Sequence, residues 1–371
     1  MNKLFVPFAA MMFVACSSGG FVRETDEVEQ DLRGPKYHVY TATNEASGNR
    51  VLAFDATADG TLIARGSFST GGVGTSAGLG NQGGLVLSSD RRFLLVVNAG
   101  SNDVSSFKVR GDGSLALVDR NPSGGTLPIS VTVHDSVVYV LNAGGTGNIR
   151  GLRLDDEGRL SSIAGSTRSL SGAAVGPAQV GFSPDGEWLT VTEKATSKID
   201  VWRVGVTGLT GARRTSPSSG TTPFGFAFTG DGALLVSEAF GGAANASALS
   251  SYRIESDGDL DVLSASVPTG QTAACWVAIL PSNRFAYTTN TGSGSVSGYA
   301  LHEGLLTLSS TTQIGAGSSP LDMAVARNGK FVWVLEGGSH MIGAFAVAHD
   351  GSLSARDTIA VPATANGLAG W

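Results

Sequence analysis

The 371-residue chain carries a formal net charge of −6, 52 glycines and only 15% charged residues. So few basic residues exclude the cationic face that nucleic-acid binding requires. Helix-favouring runs are scarce. Short Val-, Leu- and Phe-rich segments separated by Gly, Asp, Asn and Ser point instead to an all-β chain.

In chain order, the first segment differs from the rest. Lys3 precedes an apolar run, Leu4 to Ala15, that is too short to span a bilayer and fits the core of a signal peptide. Phe13-Val14-Ala15-Cys16 is similar to a bacterial lipobox, and Ser17-Ser18-Gly19-Gly20 follows as a tether. Residues 1–16 are therefore expected to be a lipoprotein signal with Cys16 lipidated. Residues 17–36, rich in Glu and Asp, form a flexible acidic tether, and 37–371 form the folded domain. The expected location is the cell envelope: exported, membrane-anchored through Cys16, in the periplasm, at the outer membrane or at the cell surface. Cys275 is then the one remaining thiol, so no intramolecular disulfide forms.

From Tyr37 onward three patterns recur seven times in phase. A branched or Leu residue, two others and a large residue appear as Val51–Phe54, Val104–Phe107, Ile149–Leu152, Ile199–Trp202, Leu249–Tyr252, Val296–Tyr299 and Ile342–Phe345. A Gly turn closely followed by Leu recurs at Gly60, Gly113, Gly158, Gly208, Gly258, Gly304 and Gly351. An Asn or Glu ends the preceding apolar strand at Asn44, Asn98, Asn142, Glu193, Glu238, Asn290 and Glu336, spaced 54, 44, 51, 45, 52 and 46 residues apart. A period near fifty with about four short strands per unit predicts a seven-bladed β-propeller of four-stranded antiparallel blades. Tyr37 to Asn44 begins at a second strand, and Ala365 to Trp371 reads as an inner strand with no successor. The C-terminal strand should therefore close the first blade and leave no open edge. A monomer is expected.

The unit Gly176 to Val204, its copies Pro223 to Ile254 and Pro320 to Val347, and the repeated Asp-Gly-x-Leu turns resemble the seven-bladed propeller lactonase family. That group contains 6-phosphogluconolactonase-like and carboxymuconate-cyclase-like proteins. The resemblance covers Tyr37 to Trp371 and implies a lactonase-like hydrolase acting in the central channel. It also implies His and Arg on inner strands. The corresponding segments here read Pro177-Ala178-Gln179 and Pro223-Phe224-Gly225, and no His or Arg falls on an inner strand assigned from the repeats, so none is carried over.

Inner strands line a propeller channel, and alternate residues face it. Aligning the units puts Gly84, Ser130, Gln179, Gly225, Trp276 and Asp322 at equivalent channel positions. Glu193, Glu238 and Glu336, beside Asp322, are the candidate catalytic carboxylates, since crowded carboxylates raise one another's pKa toward that of a useful base. The same oxygens could hold a divalent cation such as Ca²⁺. Gln179, Trp276, Asp322, Asn98, Asn142 and Asn290 are the candidate ligand-binding residues. The competing reading makes each Asn or Glu a structural acceptor at a strand end. Lys194 points to the opposite strand face from Glu193 and is expected in solvent. Gly74–Gly78 and Gly78–Gly83 spell GxSxG and GxGxxG without a flanking strand-to-helix elbow or βαβ unit, and read as surface-loop chemistry.

The acidic lining favours a neutral lactone or sugar-derived ligand over a phosphorylated one. The alternative is a non-enzymatic propeller lipoprotein, a protein-interaction scaffold in the envelope. It would present the long loops Gly71–Gly83 and Gly241–Ala248 to an envelope protein partner.

Overall fold

The computed structural model describes residues 35–371. Cys16 and residues 17–34 of the expected 17–36 tether lie outside the described residues, and its last two residues instead begin the strand Pro35–Ala42. The described strands form seven antiparallel sheets arranged as the blades of a ring. Blades II to VII each run from the inside outward in chain order. Their inner strands are Leu85–Leu87, Pro128–His134, Pro177–Phe182, Pro223–Phe228, Ala274–Ile279 and Pro320–Val325. Blade III has a split outer edge, Leu160–Ser162 and Arg168–Ser169, and both pieces pair with Asn148–Leu154.

Blade I is assembled from both ends of the described chain. Its inner strand is Asn366–Gly370, paired antiparallel to Pro35–Ala42 with Tyr40 opposite Ala369 and Thr41 opposite Leu368. The closure expected from the repeats is the one found. Trp371 follows the closing strand and stacks on Tyr40, with ring centroids 5.7 Å apart.

The large residue of the first repeated pattern is buried in every blade, from Phe54 to Phe345. It sits on the third strand and fills the wedge between neighbouring sheets. Trp202 packs among Tyr139, Leu141 and Val180, joining blades III and IV. Tyr252 does the same between blades IV and V with Val201 and Phe226. Each such side chain removed from water contributes about 2 kcal/mol, so the core is a ring of seven inter-blade wedges.

The second pattern has a double cause. All seven turn glycines adopt φ between +77° and +97°, a region costly for any residue with a Cβ. Each also rests against the blade before it. A Cβ on Gly113 would stand 2.3 Å from the His38 ring, and one on Gly351 would stand 2.3 Å from Phe285. Tyr40 and Tyr287 donate to the carbonyls of these same two glycines at 2.8 Å. The turn thus serves as the bearing between blades. Gly351→Ala combines backbone strain with a clash and should cost about 2–4 kcal/mol. Urea denaturation of the variant beside wild type measures it, and a cost below about 0.5 kcal/mol would contradict the bearing role.

Candidate functional site

Adjacent inner strands converge on the channel without a common sheet, so their backbone groups need other partners. The channel-facing position of each inner strand supplies them. Gln179 accepts from Phe226 N at 2.7 Å and donates to Phe226 O at 3.0 Å, clamping blade IV to blade V. Ser130 Oγ accepts from Val180 N at 3.1 Å, and Asp322 Oδ2 accepts from Leu368 N at 3.3 Å. The proposed channel alignment is therefore correct in register, and these three side chains are occupied in joining blades.

Blade V has Gly225 at this position and cannot make the clamp itself. Gln82, from the connection between blades I and II, reaches across the channel to make it. It accepts from Val277 N at 3.1 Å and donates to Val277 O at 2.9 Å. A Cβ on Gly225 would lie 2.1 Å from Gln82 Oε1, so the glycine is the space into which Gln82 fits. Gln82 N also donates to Ala178 O at 3.1 Å. Asn81 exchanges a bond with Asn366 at 2.9 Å, donates to Ile129 O, and accepts from Trp276 Nε1 at 2.5 Å. Residues 79–84 are thus a plug bonded to blades I, III, IV and VI. This corrects the surface-loop reading of the Gly78–Gly83 stretch. The physical reason is that its glycines let a chain without bulk cross a narrow channel, while Asn81 and Gln82 carry the bonds.

Against the plug lies a pocket of about 480 Å³ at the mouth where inner strands begin. Trp276, Leu79 and Leu321 supply its apolar walls, and Ser319, Thr364 and Asn366 its polar groups. Its described lining contains no charged side chain. Trp276 is 4% exposed and packs on Phe224, with ring centroids 5.1 Å apart.

Lys194 stands behind this wall. As alternation requires, it points away from Glu193, and it is partly exposed. Its ammonium donates to Gly80 O and sits 4.5 Å from the Phe224 ring centroid. Burial lowers its pKa to about 8. The expectation of a solvated lysine holds in part: one side of the ammonium is covered by Gly80 of the plug and by Phe224, and the rest stays partly exposed. A sequence signal existed: the residues after Asn98, Asn142, Glu238, Asn290 and Glu336 are Ala, Ala, Ala, Thr and Gly, whereas Glu45 follows Asn44 and Lys194 follows Glu193, the one basic residue at this position.

The Asn and Glu ring residues bond within their own blades and to the connections that lead into them. Glu238 accepts from Gly220 N at 2.7 Å, Ser250 Oγ at 2.6 Å, Ser266 Oγ at 2.6 Å and Ser218 Oγ at 3.2 Å. Glu193 accepts from Ser171 N at 2.8 Å, Ser171 Oγ and Thr196 Oγ1. Asn98 donates to Asp103 and Ser105, Asn142 to Ser123 O and Asn148, and Asn290 to Ser295 and Ser297. Glu336 has one donor, Ser339 Oγ at 2.7 Å, and burial pushes its carboxyl up. The three glutamates are not brought together. Among the described residues, no three His, Cys, Asp or Glu side chains group to hold a metal ion.

Two buried carboxyls were less legible. Asp322 is pushed up to about 7 by burial, although backbone N–H groups of Met323, Leu368 and Gly83 favour its charge. Burial, then the neighbouring Glu193 carboxylate, push Asp200 up to about 7 against Thr215 and Arg213. His134 is the last residue of the blade III inner strand, contrary to the expectation of none there. It lies at the far end, with Nε2 3.1 Å from Pro184 O, away from the pocket.

Residues 35–168 match the family model described as lactonase, 7-bladed beta-propeller. The match takes in 134 of the 371 residues, within blades I to III of a seven-bladed β-propeller. Among solved structures it is similar to a protein of Bacteroides uniformis provisionally assigned as a 6-phosphogluconolactonase, at 17% identity and TM-score 0.72, over 90% of this chain and 99% of that one. It is also similar to the periplasmic gluconolactonase of Pseudomonas aeruginosa, at 20% identity and TM-score 0.71, over 90% and 98% of the two chains. A Lactobacillus plantarum protein aligns at 18% identity and TM-score 0.71, over 91% and 100%. No curated protein sequence matches.

Two outcomes follow from these seams. Gln82→Ala leaves both Val277 backbone groups unpaired and should cost about 2–4 kcal/mol in chemical denaturation. Asp200 is raised in the fold, so its contribution is fully present below its ordinary range and is lost as pH rises from about 4 through about 7. Asp200→Asn should therefore stabilise the protein by roughly 1–3 kcal/mol at pH 8 and little at pH 4. Denaturation at both pH values checks the difference.

Proposed function

We propose that the protein binds and hydrolyses a neutral lactone or a related sugar-derived ring in the mouth pocket beside Trp276. The observation that carries this reading is an uncharged pocket with an indole wall and a few hydroxyl and amide groups. An apolar face with sparse polar groups suits a sugar-derived ring, which presents C–H groups on one face and hydroxyls at its edge. A phosphorylated lactone would require a guanidinium or ammonium among the lining residues, and the described lining offers none. The family match over residues 35–168 supports lactone chemistry. The neighbours described as gluconolactonase and provisionally as 6-phosphogluconolactonase support the same class, and pocket charge favours the unphosphorylated member.

Of the three candidate carboxylates, Glu336 has the chemistry nearest to a general base. It precedes the pocket residues Gly337 and Gly338, keeps a single hydroxyl partner, and is raised by burial. Glu193 and Glu238 are spent on several hydroxyl and N–H donors of their own blades and of the connections leading in.

The test is a panel of neutral and phosphorylated lactones with the purified full-length chain, Trp276→Ala and Glu336→Gln. Hydrolysis of a neutral lactone should fall about tenfold or more in kcat/KM with Trp276→Ala. It should fall about a hundredfold or more in kcat with Glu336→Gln. Background turnover of every lactone by the wild type would sink the hydrolase reading. Undiminished turnover in Glu336→Gln would remove that residue from the reaction.

A further inference from the structure

The channel mouth contains a second chemical feature besides the pocket. Lys194 is half-buried, and its ammonium is offered one carbonyl, Gly80 O, and one aromatic face, Phe224. Among the described residues no carboxylate lies within 4.0 Å of it. Protein groups thus fill one of the ammonium's three donor positions, and its partly exposed end is left to water.

The groups around it leave it uncompensated from every side. On its own strand Glu193 points to the opposite face and is tied to Ser171 and Thr196. The connection from Gly71 to Gly84, which covers it, contains no titratable residue, and neither does the blade V inner strand Pro223–Phe228. From blade VI the facing group is Cys275, whose thiol burial pushes up to about 11, so it stays neutral and supplies no counter-charge. Burial is what lowers Lys194 to about 8, leaving roughly a tenth as free amine at pH 7.

The amine lies just outside the pocket, behind its Gly80 wall. A Cβ on Gly80, itself a wall residue, would stand 3.2 Å from Lys194 Nζ. Trp276 forms another wall and touches the same Phe224 that lies under the ammonium.

We propose that Lys194 is a nucleophilic amine at the channel mouth and a site of covalent acylation by neutral lactones. The free amine attacks the lactone carbonyl, and the ring C–O bond breaks. The released alkoxide takes the proton that the nitrogen sheds. The product is an Nζ-amide of the ring-opened hydroxy acid. Every atom of the lactone is retained, and no co-reactant is needed. The proposal rests on the lactone reading of the pocket only for where the electrophile gathers, since the amine's setting is independent of it.

The experiment incubates the full-length protein with glucono-1,5-lactone from pH 6 to 9 and follows lysine peptides by mass spectrometry. Lys194 should gain the mass of one intact lactone on the order of tenfold faster at pH 7 than exposed Lys330. The rate should level off above about pH 8. Phe224→Ser, which admits water, should slow Lys194 toward the Lys330 rate, with a thermal melt showing that the variant is folded. Labelling of Lys194 no faster than Lys330 in the wild type overturns the proposal. So does fast labelling that survives in folded Phe224→Ser. Free acid released in the same incubation reports hydrolysis separately, so a labelled but non-hydrolysing protein sinks the hydrolase reading and leaves this one standing.

Discussion

The structure depends on how neighbouring inner strands are joined. Seven sheets around an axis bring their inner edges close without letting them share a ladder, and each edge carries backbone groups that cannot be left dry and unpaired. Side chains make the joints: Ser130 to Val180, Gln179 to Phe226, Gln82 to Val277, and Asp322 to Leu368. The channel is narrow because these joints fill it. A side chain that clamps a neighbouring backbone through both its donor and its acceptor has little left for a ligand. The open pocket beside Trp276 accordingly lies at the mouth and not on the channel axis.

The same constraint accounts for the plug. At Gly225 the blade's own clamp is missing, and a residue from the opposite side of the ring takes its place. In consequence one connection fixes the geometry of four other blades. Trp276 is held by Asn81 O, and Asn81 is held in turn by Asn366 of the closing strand. The pocket wall, the plug and the ring closure are therefore one hydrogen-bonded unit. Two long loops were candidates for presentation to a partner. The first supplies this unit through Leu79 to Gly84, while Gly241 to Asn245 stay exposed around a single 3-10 turn.

The architecture was legible because its causes are local and repeated. Seven turn glycines need positive φ, seven large residues need a wedge, and both needs recur at one period. Register along the inner strands was legible for the same reason, so Gln179, Trp276 and Asp322 were correctly aligned. What those residues touch was not. Gln82 acts on Val277, 195 positions away, and its role exists only because Gly225 is empty. A pairing of that kind has no periodic trace. The Asn and Glu ring is a middle case, since its recurrence identified a shared role. A structural acceptor and a channel carboxylate share the same position at a strand end, and only partners such as Gly220 N and Ser250 distinguish them.

Lys194 illustrates how alternation decides direction but not environment. Facing away from Glu193 would mean solvent on an isolated strand. In this ring the same direction means the channel mouth, beneath Gly80 and beside Phe224. The carboxylate on the other face is held by serine and threonine donors and does not pair with the ammonium. The two adjacent charges are thus given opposite treatments by one strand. Glu193 is fully paired and inert to the channel, and Lys194 is sparsely paired and turned toward it. A polar residue between two blades is satisfied by whatever closes the seam. A polar residue at the mouth is left with unspent bonding capacity, and that surplus is where binding and reaction can occur.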